Sequence, residues 1–101
     1  MIAEDAQRLR KMSESSRKSH RAAVLLLASQ TLNDLSYYVM LGRVPSELIV
    51  RLESLERLFK LYGLPASILA RYKRLARKLS VPGHLAWPVG VGAYSAAKTV
   101  Y

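Results

Sequence analysis

The sequence predicts an all-α protein: a small bundle of about four helices with a projecting basic N-terminal helical arm and an irregular apolar C-terminal tail. Three observations predict this class. Apolar residues recur at helical spacing along most of the chain, glycine and proline residues divide that pattern into segments, and 101 residues suffice for one domain with a thin core. We expect a basic helical arm at 1–21, a helical core at 22–79 and a Pro/Gly-rich tail at 80–101.

The first segment, residues 2–23, is amphipathic but has few large apolar side chains. Its inner face is predicted to carry Ile2, Ala6, Leu9, Met12, Ser13, Ser16, Ser19, His20 and Ala23. Because serine side chains compete for backbone hydrogen bonds, we expect a kink or break between residues 13 and 19. A straight helix over 2–41 would extend about 60 Å, longer than so small a domain is wide. The segment therefore either projects as an arm or folds back at the serines.

The next segment, residues 22–41, predicts a strongly hydrophobic helix that stops at Gly42. Its buried face is predicted to contain Val24, Leu25, Ala28, Leu32, Leu35 and Val39. A second turn signal, Pro45 with Ser46, opens the following helix.

Residues 46–62 predict a third helix, and residues 65–79 a fourth, separated by the stop signal of Gly63 and Pro65. The seam of the third helix is predicted to be Leu48, Leu52, Leu55, Phe59 and Tyr62. The fourth is the most clearly amphipathic, with an apolar face of Ile68, Leu69, Tyr72, Leu75, Ala76 and Leu79. Because the connection is so short, we expect the two helices to form an αα-hairpin.

The residues after Leu79 change in character. Pro82 and Gly83 signal a turn, and an apolar, aromatic tail follows. Such a tail is unusual as free surface, so we expect it to pack between subunits. The predicted interface residues are Trp87, Tyr94 and Tyr101.

Catalytic and metal-binding patterns are weak. The chain has no cysteine, which excludes a disulfide framework and a thiolate metal site. His20 and His84 have no carboxylate or thiol at metal-ligand spacing, and residues 90–95 lack the third glycine of a dinucleotide loop. We therefore expect neither enzyme activity nor a cofactor.

The longest helical apolar stretch, residues 22–33, is too short to span a bilayer, and no signal-peptide pattern is visible, so a soluble, non-secreted protein is expected.

Positive charge is concentrated in two clusters within a net charge of +9. The first cluster is Arg8, Arg10, Lys11, Arg17, Lys18 and Arg21, and the second is Arg71, Lys73, Arg74, Arg77 and Lys78. Charged helix faces are usually only solvated, but five cations in eight residues without an acid repel one another. This pattern favours polyanion binding through phosphates. Because residues 68–79 contain no Asn or Gln, base recognition is less favoured.

The acids of the third helix have a simpler interpretation. Glu53 and Glu56 lie one turn before Arg57 and Lys60, so surface ion pairs within that helix are expected.

Three short runs carry a family resemblance: Leu61-Tyr62-Gly63-Leu64, Ala70-Arg71-Tyr72 and Ala76-Arg77-Lys78-Leu79. Together they resemble the coat proteins of rod-shaped and filamentous archaeal viruses over about 20 residues. The resemblance implies an all-helical subunit that pairs with itself or a paralogous coat protein, wraps linear double-stranded DNA as a filament and resides in the virion.

The composition is compatible with a hot habitat, because the chain has few Asn and Gln residues, no Cys and more Arg than Lys.

Two alternatives remain open from the residues alone. A helix-turn-helix regulator would use the Gly63-Leu64-Pro65 turn and a recognition helix at 66–79. A basic amphipathic helix could instead bind a membrane surface or a protein partner.

Overall fold

The computed structural model describes residues 1–82 and confirms the small all-α bundle. Its four helices are α1 (Ile2–Ser15), α2 (Ser19–Leu41), α3 (Ser46–Leu61) and α4 (Ala66–Lys78). Two strands of two residues each, β1 (Val44–Pro45) and β2 (Ser80–Val81), complete the described elements. The predicted interface residues Trp87, Tyr94 and Tyr101 lie outside the described residues, as does most of the predicted tail.

Helix α1 does not project as an arm but packs antiparallel against α2. Residues 16–18 leave the helical conformation, with extended backbone at Ser16 and Lys18. Two side-chain hydrogen bonds fix the hairpin: Ser13 Oγ donates to the carbonyl of Ala22 at 2.7 Å, and Ser29 Oγ to that of Ala6 at 2.6 Å. The small Ala6 lets the helices approach closely. Of the two alternatives predicted for this segment, a projecting arm and a fold back at the serines, the structure has the second.

The break also changes which side chains the segment buries. Ala6 and Leu9 are fully buried, and Ile2 and Met12 pack against the core, as the helical pattern predicts. Ser19, His20 and Ala23 are exposed, although they continue the same face of a straight helix. Three non-helical residues shift the helical phase, so the predicted inner face applies only as far as the break.

The predicted core of the other helices is present. Leu25, Ala28, Leu32 and Leu35 of α2 are buried against Leu48, Leu52, Leu55 and Phe59 of α3 and Leu69, Tyr72 and Ala76 of α4. Gly42 ends α2 in the left-handed region with φ of 76°, and Gly63 has φ of 68° in the α3–α4 turn. Leu75, predicted on the buried face of α4, is 36% exposed.

The helices run alternately up and down. Ion pairs Glu53–Arg77 and Glu56–Lys73 require α3 and α4 to be antiparallel, because the partners follow in opposite order along the two helices. The short connection of residues 42–45 returns α3 along α2, where Arg51 pairs with Asp34. The α1–α2 turn (16–18) and the α3–α4 turn (62–65) therefore lie at one end of the bundle, which we call the turn end.

The opposite end is closed by a parallel bridge between β1 and β2. Val44 pairs with Ser80 and Pro45 with Val81, and the amide of Val44 donates to the carbonyl of Leu79 at 2.9 Å. The amino-acid pattern does not predict this bridge, because two-residue strands carry no measurable periodicity.

Helix α2 has apolar side chains on its outer side as well as in the core. Leu26 and Leu27 are 40% and 44% exposed, and Tyr37 and Met40 are also exposed. Within residues 1–82, no helix combines the length and hydropathy required to cross a bilayer.

Candidate nucleic-acid interface

The five cations of α4 divide between two environments. Lys73 and Arg77 face α3, and each forms a 2.8 Å contact with a carboxylate there. Arg71, Arg74 and Lys78 are exposed and have no carboxylate partner among the residues that the structure describes. The prediction of five unrelieved cations is therefore wrong for two of them, because the balancing acids come from a different helix.

The acids of α3 explain this division. Glu56 pairs with Lys60, as the helical spacing predicts, but its shorter contact is with Lys73. Glu53 pairs with Arg77 of α4, whereas Arg57 has no carboxylate partner within residues 1–82 and contacts the hydroxyl of Ser54 at 3.5 Å. The predicted Glu53–Arg57 pair is thus replaced by a pair between helices.

The Glu56–Lys73 pair is the better shielded of the two. Their side chains are 13% and 19% exposed, against 39% and 56% for Glu53 and Arg77. The hydrogen bond from Lys73, acting against partial burial, lowers the pKa of the Glu56 carboxyl. Lys73 therefore holds α4 against α3 and is poorly placed to contact a ligand.

The first cluster is also divided, although its paired cations remain exposed. Arg8 lies 3.6 Å from Asp5 and Arg10 lies 3.6 Å from Glu14, both within α1. Such surface pairs contribute about 0–1 kcal/mol and leave the cation accessible. Lys11, Arg17 and Lys18 are exposed, and Arg21 is partly buried. None of these four has a carboxylate partner within residues 1–82.

The turn end brings part of the first cluster into an open cleft. A cleft of about 330 Å³ is lined by Met12, Arg17, Lys18, Arg21, Leu25 and Leu64, among others. The same three cations also line a neighbouring cleft of about 620 Å³ together with Leu61 and Tyr62. The two helical turns thus meet around a basic and partly apolar depression.

A buried polar contact, which the sequence pattern does not predict, joins the two hairpins. The hydroxyl of Tyr72 donates a hydrogen bond to Oδ2 of Asp5, and both residues are buried. Burial, followed by this hydrogen bond, raises the pKa of Tyr72 to about 12. The only available signal was an acid near the apolar stripe of α1, and Asp at a helix start is usually a surface residue.

The contacts across α3 and α4 bear on the alternatives. Two ion pairs along the hairpin hold these helices antiparallel, whereas a helix-turn-helix crosses at about 90–120°. The apolar face of α4, including Leu69 and Ala76, is packed in the core.

Other ligand chemistry is sparse in the described region. No group of three His, Asp or Glu side chains in residues 1–82 is arranged to hold a metal ion. His20 lines the larger cleft at the turn end, and His84 lies outside the described residues.

Comparison of the chain with protein-family models, curated proteins and solved structures gives no match.

Proposed function

We propose that this protein is a structural nucleic-acid-packaging subunit that binds double-stranded DNA through its phosphates, without reading base sequence. Four of the eleven predicted cations have carboxylate partners, which leaves seven without one in the described region. These seven are Lys11, Arg17, Lys18, Arg21, Arg71, Arg74 and Lys78. This unbalanced and mostly exposed charge is the observation that carries the proposal, because unpaired Arg and Lys are the groups that neutralise phosphates.

The composition of the exposed α4 surface supports backbone binding. Helix α4 itself contains no Asn or Gln to form a bidentate contact with adenine. The antiparallel α3–α4 hairpin likewise favours a packaging role over a helix-turn-helix regulator. Two of the cations that a recognition helix at 66–79 would offer to DNA, Lys73 and Arg77, are instead paired with α3.

Self-assembly on the DNA is the second part of the proposal. Leu26, Leu27, Tyr37 and Met40 expose apolar surface on α2, and an apolar surface of this kind is typical of a protein contact. Copies that associate side by side would present the unpaired cations as one repeated surface. A virion coat subunit of a filamentous virus has this arrangement.

The binding test uses fluorescence anisotropy with several duplexes of unrelated sequence. We expect similar affinities for all of them and a linear loss of log affinity with log salt. If all seven unpaired cations contact phosphates, the slope approaches about −6 for B-form DNA. A strong preference for one duplex would instead support the helix-turn-helix alternative.

A matched pair of variants separates local contacts from the effect of total charge. Arg74→Gln and Arg57→Gln each remove one positive charge, but only Arg74 belongs to the proposed surface. Arg74→Gln should reduce the salt slope by about 1 and weaken binding to every duplex similarly. Equal effects of the two variants would contradict the assignment of α4 to the interface.

Negative-stain microscopy with and without duplex DNA tests assembly. Regular filaments that require DNA are the expected result. Discrete dimers on DNA, or co-sedimentation with anionic vesicles without DNA binding, would contradict the packaging proposal.

A further inference from the structure

Helix α2 is apolar on two sides, and within residues 1–82 the bundle covers only one of them. Leu25, Leu32 and Leu35 are buried in the core, whereas Leu26 and Leu27 on the outer side are 40% and 44% exposed. A helix that is apolar all round is normally covered all round. The outer side of α2 is therefore expected to have a cover of its own.

The exposed residues on the outer side follow a heptad spacing. Steps of three and four residues alternate along six positions, all of them exposed, and this is the spacing of a seam between paired helices. The six positions are Ala23, Leu26, Gln30, Asn33, Tyr37 and Met40. They extend over about 26 Å of helix. The spacing indicates that another helix packs along this side.

The seam is complementary to itself when its direction is reversed. In an antiparallel pair centred between Gln30 and Asn33, Leu26 of one copy faces Tyr37 of the other. The same register sets Gln30 opposite Asn33, and their amides can donate and accept hydrogen bonds across the pair. Polar residues within an apolar seam fix its register. A second α2 therefore matches this side of the helix.

A parallel pair is less favourable on two grounds. It sets Ala23 against Ala23 and Met40 against Met40, whereas the antiparallel pair sets each small Ala23 against a long Met40. It also brings together the turn ends of both copies, with the cations Arg17, Lys18 and Arg21 of each. The antiparallel pair separates these ends by about 35 Å, the length of α2, which is well beyond the Debye length of about 10 Å at 0.1 M salt.

The charge of this surface also favours a second copy over a polyanion. Between Arg21 and Arg43 the chain has no Lys or Arg. The charged residue on this stretch, Asp34, pairs with Arg51 of α3. On a chain with a net charge of +9, two copies can meet here with little repulsion, and the surface offers no cation to a phosphate.

We infer that two copies of the chain pair through the outer side of α2, antiparallel about a two-fold axis between Gln30 and Asn33. The pair itself does not require DNA, whereas its role as the repeating unit on DNA rests on the proposed function. Because a two-fold contact is completed by two copies, growth of a filament would then require DNA or a second surface.

Sedimentation equilibrium of the full chain without DNA measures the pairing. We expect a monomer–dimer equilibrium with a Kd of about 10–100 μM, because a single pair of helices forms a small interface. Leu26→Glu should raise this Kd at least about tenfold, because it places a charge in the seam. Leu61→Glu, at a leucine of α3 that is 74% exposed, makes the same chemical change outside the seam and should stay within about twofold of the unmodified protein.

Disulfide trapping tests the antiparallel register, since the natural chain has no cysteine. A mixture of Leu26→Cys and Tyr37→Cys should form a disulfide between the two variants. Each variant alone should not, because this register separates equal positions by 11 residues, or about 17 Å along the axis, and a disulfide needs Cα atoms within about 7 Å. Trapping of each variant alone, without trapping in the mixture, would overturn the antiparallel arrangement.

The remaining outcomes separate the pair from the proposed function. A chain that stays monomeric up to about 1 mM, or equal Kd values for Leu26→Glu and Leu61→Glu, would overturn the pair. A monomer that Leu26→Glu destabilises would instead assign the outer side of α2 to the chain's own residues 83–101. Duplex binding by a monomeric chain would leave the phosphate-binding proposal standing, whereas pairing without duplex binding would keep the pair and overturn its role in packaging.

Discussion

The two helical hairpins both carry clusters of positive charge, but they balance it differently. In the α3–α4 hairpin, carboxylates of one helix pair with cations of the other, at 2.8 Å in both cases. In the α1–α2 hairpin, no ion pair joins the two helices within residues 1–82: two pairs lie inside α1, and Asp34 of α2 pairs with Arg51 of α3. Arg17, Lys18 and Arg21 at the turn have no carboxylate partner in the same range. Charge in the first case holds helices together, whereas charge in the second is available to a ligand.

The hairpins also differ in what attaches them to the rest of the bundle. The α3–α4 hairpin supplies two large buried aromatic side chains, Phe59 and Tyr72, together with several leucines. Helix α1 contributes only Ala6 and Leu9 to the fully buried core, with the polar link from Asp5 to Tyr72 beside them. The attachment of α1 should therefore depend on a few contacts, each of which can be tested.

The largest effect is expected for Leu9→Ala. Leu9 is fully buried, so the variant should lower the free energy of unfolding by about 2–5 kcal/mol. Chemical denaturation measures this loss. Leu61→Ala, at a side chain that is 74% exposed, should change stability by less than about 0.5 kcal/mol. Equal stability of the two variants would mean that α1 is a projecting arm after all.

An intermediate effect is expected when the link between the hairpins is removed. Tyr72→Phe leaves the buried Asp5 without its hydrogen-bond donor, at a cost of about 1.5–3 kcal/mol. Tyr62→Phe, at a partly buried tyrosine on the α3–α4 turn, is the control and should lower the free energy of unfolding much less. Similar losses for both variants would show that the Tyr72–Asp5 contact contributes little.

The same link predicts a dependence on alkaline pH. The pKa of Tyr72 is raised from its ordinary value of 10.0 to about 12 by burial and by its hydrogen bond to Asp5. Because the folded-state pKa is the higher one, the associated stability is complete below pH 10 and is lost as pH rises towards 12. The unmodified protein should lose more stability over this interval than Tyr72→Phe does.

The smallest effects are expected from the acids of α3. Glu56→Gln should lower the free energy of unfolding by about 1 kcal/mol, because the Glu56–Lys73 pair is partly shielded from water. Glu53→Gln should lower it by about 0.5 kcal/mol or less, because the Glu53–Arg77 pair is more exposed. Since the pKa of Glu56 is lowered, the contribution of its carboxylate is present at neutral pH and is lost as pH falls through that lowered value. Thermal unfolding of the unmodified protein and the two variants, at pH 7 and at acidic pH, measures the losses and their pH dependence.

The same two variants sharpen the comparison between the hairpins. Each frees a cation of α4 and removes a negative charge, so each should strengthen duplex binding if α4 forms part of the interface. Unchanged duplex affinity, measured by anisotropy at constant salt, would limit the interface to the turn end.

Much of the bundle follows from local patterns. Gly42 and Gly63 end helices where predicted because the chain there needs a left-handed conformation. The spacing of leucines identified the buried faces of α2 and α3 because period 3.6 places them on one side. The helical phase could not be followed past residue 15, because the three non-helical residues 16–18 rotate α2 relative to α1 by an angle that the hydrophobic pattern does not specify.

The sequence by itself determined the helical class, most helix boundaries, the net charge of +9 and the two places where cations concentrate. These properties depend on the identities of near neighbours along the chain. Only the tertiary structure decided that α1 folds back, that Glu53 and Glu56 balance cations of α4, and that Arg21 meets Leu64 in a cleft. Ion pairing and burial depend on distance in space, and residues 17 to 24 positions apart become neighbours only when antiparallel helices pack.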